Sequence, residues 1–319
     1  MSLSLIGKMS DLEEYSTKTL IAFTNVIIDI ENFFNYMPIN DISIECKNTR
    51  KKRMKDLYHI DDRVEELCDG SLICMKWNNK SRGLVLKTAS VVRNSNVKKR
   101  DKFFLNSITT NIFFKQNGKD KLVNIKITKT GRFQITGCKN DELAIKSIQF
   151  LFHSMRESER WTGKKIFTLQ NKLFNYNVGN NCACFIKTVM KNRNVNIGFS
   201  VNREKLDMLI NNNFDNYISI FDGTTSGAGV NIKIQIDEDD EDDLLFFTID
   251  GNNIETKIIT NKEFEDISKD NPLKKKTGYH TFLCFKSGSC IHSGKGKKMV
   301  STFSKFLDIL TTHKSEICE

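Results

Sequence analysis

Apolar and polar positions alternate strictly through NIKIT and RFQIT, the two stretches that flank Gly131. Period two belongs to a half-buried strand. Ile125, Ile127, Phe133 and Ile135 therefore take one face, and Lys126, Thr128, Gln134 and Thr136 the other. Gly131 suits the tight turn between them, so the stretch predicts a hairpin. The period then changes to that of a helix. Asn140 offers a cap, Asp141 and Glu142 stand in the first turn, and Ala144, Ile148, Leu151, Phe152 and Met155 form an apolar stripe.

The same rhythm returns late in the chain. TFLCFKSGSCIHSG predicts strand, turn and strand around Gly288, followed by a stripe of Val300, Phe303, Phe306, Leu307 and Leu310. Upstream of each hairpin, AFTNVIIDIENFFNYM from Ala22 and VNIGFSVNREKLDMLI from Val195 both read as a strand and then a helix, Asn202 serving as the second cap. Each half is thus strand, helix, several strands and a long helix, a pattern that predicts an α+β fold with helices on one sheet face. The halves span roughly 15–160 and 183–315, joined by a connector at 161–182. Segments near 38–70, 78–120 and 236–276 read as insertions, and the last carries the acidic run DEDDEDD from Asp237, expected to be solvated.

The hairpins differ in one respect. The face of the second that corresponds to Lys126, Thr128, Gln134 and Thr136 carries Leu283, Phe285, Ile291 and Ser293, while Phe282, Cys284, Cys290 and His292 line its other face. A strand apolar on both sides expects cover on both. Helices supply one cover, and a groove or a protein partner supplies the other.

Charge narrows the partner. The formal net charge is +10, with clusters RKKRMK from Arg50, KKRDK from Lys98 and KKK from Lys274, which suits a polyanion. The nine cysteines include no CxxC pair and suggest a reducing intracellular compartment. No secretory pattern opens the chain, and its longest apolar stretch is too short to span a bilayer, so no membrane partner is expected. No P-loop, GxSxG or HExxH motif occurs, and an enzyme is not expected. His280, Cys284, Cys290 and His292 fit no zinc spacing; neither metal nor cofactor is expected.

The hairpins ITKTGRFQITGCK and CFKSGSCIHSGKGK resemble the two signature stretches of the TATA-binding protein family. The resemblance implies a saddle of two pseudo-symmetric repeats, one curved antiparallel sheet with helices on its convex back. It implies a divergent protein of a large DNA virus, a transcription initiation factor that binds A·T-rich double-stranded DNA through the minor groove. A TFIIB-like factor and RNA polymerase machinery would be its partners, in a cytoplasmic viral factory or the nucleus of the host, with packaging in the virion left open. Carried over by position, Phe285 matches a wedge phenylalanine, and Thr128 stands at the equivalent first-half place. Asn25 matches the central asparagine, with Ile27 beside it and Asn192 or Asn194 as its second-half counterpart. Thr136 and Ser293 match the hydroxyls that accompany those asparagines, and Arg132 stands where the family has a phosphate-facing lysine. Lys126, Gln134, Leu283 and Ile291 complete the implied DNA-facing set. A protein-binding module on the same fold is the alternative, favoured by the polar first-half face.

Overall fold

Alternation becomes an antiparallel sheet. The structure, a computed structural model, describes residues 15–40, 68–83, 106–116, 118–225, 227–236, 242–251, 253–268 and 278–319. The chain begins β1 (Thr17–Thr24), β2 (Val26–Ile28), α1 (Ile30–Tyr36), β3 (Ser71–Trp77), β4 (Lys80–Gly83) and β5 (Ser107–Gln116). The first hairpin follows as β6 (Lys119–Thr128) and β7 (Arg132–Cys138), then the long helix α2 (Asp141–Thr162). Three short strands, β8 (Phe167–Leu169), β9 (Lys172–Leu173) and β10 (Tyr176–Asn177), lead to β11 (Cys182–Asn196). Next come α3 (Arg203–Asn213), β12 (Tyr217–Ile220), β13 (Val230–Gln235), β14 (Leu244–Asp250), β15 (Asn253–Ile259) and α4 (Asn261–Ile267). The second hairpin, β16 (Tyr279–Cys284) and β17 (Ser289–Gly294), precedes α5 (Met299–Thr312) and α6 (Lys314–Ile317).

Among the described residues the main sheet has 13 strands, in the order β12-β13-β16-β17-β11-β1-β7-β6-β5-β3-β4, with β14 and then β15 added beside β11. Counted outward from the central β11–β1 pair, each side meets the second strand of a hairpin, its first strand, and then earlier strands, β13 and β12 on one side and β5, β3 and β4 on the other. Fixed contacts recur with it. The turn glycines Gly131 (φ 71°) and Gly288 (φ 77°) both lie in the left-handed region. An added Cβ would strike the carbonyl oxygen of Val26 at the first and of Phe199 at the second. Thr24 N–H donates to Gly131 O, and Ile197 N–H to Gly288 O. Asp29 caps α1 and Asn202 caps α3. Val26 and Phe199, Thr24 and Ile197, and Asp29 and Asn202 are each separated by 173 positions.

The described helices other than α4 cover one face of this sheet, as α+β patterning expects. Ile125 pairs with Ile135 and Ile127 with Phe133, and all four are buried under α2 and its neighbours with Ala144, Ile148, Leu151, Phe152 and Met155. Asn140 accepts from Leu143 N–H at 3.1 Å and sets the start of α2. In the second half Phe282, Cys284 and Cys290 pack with Phe303, Phe306 and Leu310 of α5 in a separate core. Cys284 and Cys290 are cross-strand partners with sulfurs 3.2 Å apart, and the hydrogen bond between them, with burial adding to it, pushes the Cys284 thiol well up.

Three segments differ from the sequence reading. The stretch 78–120, expected as an insertion, contains β4 and β5, and β5 pairs with β6 from Ser107 to Gln116. The connector contributes β8, which pairs with β2, and the β9–β10 ribbon. The stretch 236–276 contains β14, β15 and α4 as an added ordered unit. Residues 237–241 of the acidic run lie outside the described residues, but Asp242 and Asp243 are held. Asp242 lies 2.6 Å from Lys191 Nζ and accepts from Gly296 N–H at 3.1 Å, and Asp243 pairs with Lys297 at 2.9 Å. Ion pairing converts the end of a like-charge run into an anchor.

Candidate nucleic-acid interface

The face away from the helices can be read from strand register. Across the second half, Ile220, Asn231, Leu283, Ile291 and Asn194 form one cross-strand row. Ile218, Lys233, Thr281, Ser293 and Asn192 form the next. Ile220 is 54% and Ile218 46% exposed, and Leu283, Ile291 and Ser293 are half-buried with no helix over them among the described residues. Phe285 continues the parity of Leu283 into the turn, where its N–H donates to Ser289 O at 2.9 Å. Apolar side chains, short hydrogen-bonding side chains and one cation therefore share this surface.

The first half presents Thr109, Lys126 and Gln134 in one row and Asn111, Asn124, Thr136 and Thr19 in another. Asn124 donates to Asn111 at 2.8 Å, and the Thr136 hydroxyl reaches Asn124 O at 3.5 Å. The Thr128 hydroxyl accepts from Arg132 N–H at 3.2 Å and lies 3.1 Å from the Thr130 hydroxyl, so it closes the turn where the second half carries Phe285. Arg132 lays its guanidinium over the Phe23 ring, 5.3 Å from the centroid.

Asn25 and Ile27 lie elsewhere. Asn25 is wholly buried, and its side chain is spent on the backbone. Its Nδ2 donates to Gln170 O at 2.7 Å and to Asn181 O at 2.8 Å, while its Oδ1 accepts from Ala183 N–H at 2.8 Å. A side chain satisfied in this way is a staple between β1, the connector and β11, and it does not face a groove. Ile27 sits on β2, whose partner is β8 and which stands outside the main sheet. The register also corrects the expected pairing of asparagines. Thr19 is opposite Thr136 and Asn192 is opposite Ser293, so Asn192 corresponds to Thr19 and not to Asn25. Asn25→Ala is expected to cost about 3 kcal/mol, since it strands a buried N–H and two part-buried carbonyls; urea unfolding measures this.

Part of the open face carries a cover of its own chain. Ile21, Phe23, Ala183 and Phe185 point to this face and are buried in a third core with Leu173 and Val178 of the connector and Leu244, Phe246, Ile259 and Phe264 of the added unit. Phe264 of α4 stands 5.4 Å from the Phe185 ring and 6.1 Å from Phe23, and Phe185 and Phe246 are 4.7 Å apart. Polar ties hold the cover down. Asn261 donates to Asp242 O at 2.6 Å, Lys187 reaches Asn261 at 3.4 Å, and Asn175 N–H donates to Ile267 O at 3.2 Å. Re-exposing these side chains costs on the order of 10 kcal/mol, at about 1.5–3 kcal/mol for each large apolar group. That exceeds the roughly 5–8 kcal/mol of non-specific DNA association, so the cover is a fixed part of the fold.

Charge is distributed to match. Among the eleven strands of the main path the only carboxylate is Asp120, near the β5–β6 turn, while Lys18, Lys126, Arg132, Lys187, Lys191, Arg193 and Lys233 all lie on them. The acidic strand residues Asp250 and Glu255 sit on the added β14–β15 hairpin. Sequence reading passed over Ile218, Ile220, Asn231 and Lys233. The alternation in YISI and VNIKIQ was the available signal.

The chain is 25% identical over 191 residues to a protein named "TATA-box-binding protein-like" from Acanthamoeba polyphaga mimivirus, an alignment covering 57% of this chain and 48% of that one. The chain thus spans about half the length of that relative. The chain resembles a viral TBP-like protein. It is also 26% identical over 327 residues to "Uncharacterized protein 335L" of Invertebrate iridescent virus 6, covering 97% of this chain and 87% of the relative. Among solved structures it matches Methanococcus jannaschii TBP with a TM-score of 0.41 at 9% identity, over 94% of this chain and 98% of that one. No protein-family model matches.

Proposed function

We propose that this chain is a TBP-like transcription initiation factor that binds A·T-rich duplex DNA through the open face of its sheet. In this reading the mirrored strand order and the constant 173-residue separations reflect two copies of one unit, 15–160 and 183–315, bent into a saddle. The observation that carries it is the set Lys126, Arg132 and Lys233 in the open-face register of an eleven-strand path whose only carboxylate is Asp120, the kind of footprint a phosphate backbone selects. Leu283, Ile291 and Phe285 supply apolar contact to a widened minor groove, and Asn192, Ser293, Thr281 and Asn231 supply hydrogen bonds to its acceptors. A TFIIB-like factor and polymerase machinery are the partners such a factor would recruit.

The test is a gel shift on A·T-rich and G·C-rich duplexes across a salt series, with Phe285→Ala alongside. Affinity is expected to fall steeply with salt and to favour A·T. Phe285→Ala is expected to remove much of that preference and to reduce end-to-end fluorescence transfer on a doubly labelled duplex, because a wedge unstacks bases and an alanine does not. Equal binding to both duplexes, with no response to Phe285→Ala, sinks the reading. The second reading, a protein-binding module, is favoured by the third core, which occupies open-face positions Ile21, Phe23 and Phe185 with the chain's own α4.

A further inference from the structure

We propose, resting on the duplex-binding reading above, that the chain reads DNA with the second half of its open face alone. The α4 and β9–β10 cover acts as a fixed wall across the first half. Register places the wall. Ile21 lies opposite Gln134 on one side and Lys187 on the other, and Phe23 lies opposite Arg132 and Phe185, so the cover stands on β1 and on the first part of β11. The positions that correspond to Ile21 and Phe23 in the second half are Asn194 and Asn196, and both are exposed. Among the described residues, matched places are thus roofed at Ile21 and Phe23 and exposed at Asn194 and Asn196.

The wall is tied to the second half as well. Asp242 joins Lys191 and the Gly296 N–H, and Asp243 joins Lys297, so the added unit is clamped to the loop before α5. A duplex laid along the bare rows meets Ile220, Asn231, Leu283, Ile291 and Asn194, together with Lys233 for phosphate, and then reaches the α4 ridge. This chemistry fits one partly unstacked base step with neighbouring minor-groove acceptors. The first-half rows, Thr109–Lys126–Gln134 and Asn111–Asn124–Thr136, lie on the far side of the ridge. Groove reading and bending therefore fall on one end of the site.

Matched charge changes test the division. Ile218→Glu and Ile220→Glu place one carboxylate each on exposed second-half positions, and Ser107→Glu and Thr109→Glu place one each on half-buried open-face positions of the first half. All four change net charge equally, so long-range electrostatics cancels between the pairs. With folding checked by thermal unfolding, affinity for a fluorescein-labelled A·T-rich duplex is measured by anisotropy. The second-half variants are expected to lose about tenfold or more, and the first-half variants under about threefold. Equal losses from both halves overturn the division and leave the duplex reading standing. Larger losses from the first half overturn it as well. A wild-type protein that binds no duplex overturns the duplex reading itself, and the inference with it.

Discussion

Phe264→Ala is expected to destabilise the protein by about 3–5 kcal/mol, the range for truncating a buried phenylalanine in a packed core. Phe264 is 3% exposed and touches three rings at once, those of Phe23, Phe174 and Phe185 at 6.1, 5.6 and 5.4 Å. The loss should be regional. Among the described residues the third core shares no side chain with the α5 core, where Phe282 stacks on Phe306 at 4.1 Å. Hydrogen exchange is therefore expected to show β14, β15 and the connector losing protection first, with β16 and β17 following only at global unfolding. Uniform loss of protection across all strands would show instead that the added unit folds as one body with the rest. The capping box, in which Thr260 and Glu263 exchange bonds, keeps α4 itself formed in the variant.

Much of the fold was legible because two hairpins carry strict period-two patterns and are followed at once by capped, period-3.6 stripes. Ile125, Ile127, Phe133 and Ile135 fell to the helix side as their alternation required, and so did Phe282, Cys284, Cys290 and His292. The third core was not legible. Ile21 and Phe23 alternate with Leu20 and Ala22, so β1 reads apolar on both faces, but sequence does not say what covers the second face. The answer lies about 220 residues downstream in β14 and α4, and pairing over such a separation leaves no local trace. Asn25 misled for a related reason. A strand-end asparagine looks the same in sequence whether it offers its amide to a base or to three backbone groups, and only the arrival of Gln170, Asn181 and Ala183 decides. That Asn192 holds on β11 the place Thr19 holds on β1 likewise follows from pairing to Ser293 and Thr136, which residue spacing alone left open.

Acid is expected to weaken the second-half core through His292. Its ring is fully buried, stacked on Phe282 at 4.2 Å with Phe303 at 6.1 Å. Burial, with the neighbouring His280 and then the Arg193 guanidinium adding to it, lowers its pKa from 6.5 to about 3. The folded state thus holds His292 neutral across a range in which the unfolded chain takes up a proton. The associated stability is fully present above pH 6.5 and is lost as pH falls from there towards about 3. At about 1.4 kcal/mol per pH unit, the loss by pH 4 is about 3 kcal/mol. His292→Phe keeps an aromatic ring against Phe282 and cannot titrate. Carboxylates shift with pH in both proteins, so the comparison isolates the imidazole: between pH 7 and pH 4 the wild type should lose about 3 kcal/mol more than the variant in urea unfolding. Parallel losses in the two proteins would mean that the buried ring takes a proton without cost, and that the charge of Arg193 and the ring of His280 do not oppose it. Because Cys290 and Ile291 adjoin His292 on β17, the same fall in pH should loosen the strand that carries the open-face isoleucine. DNA affinity is then expected to weaken on acidification more in the wild type than in His292→Phe.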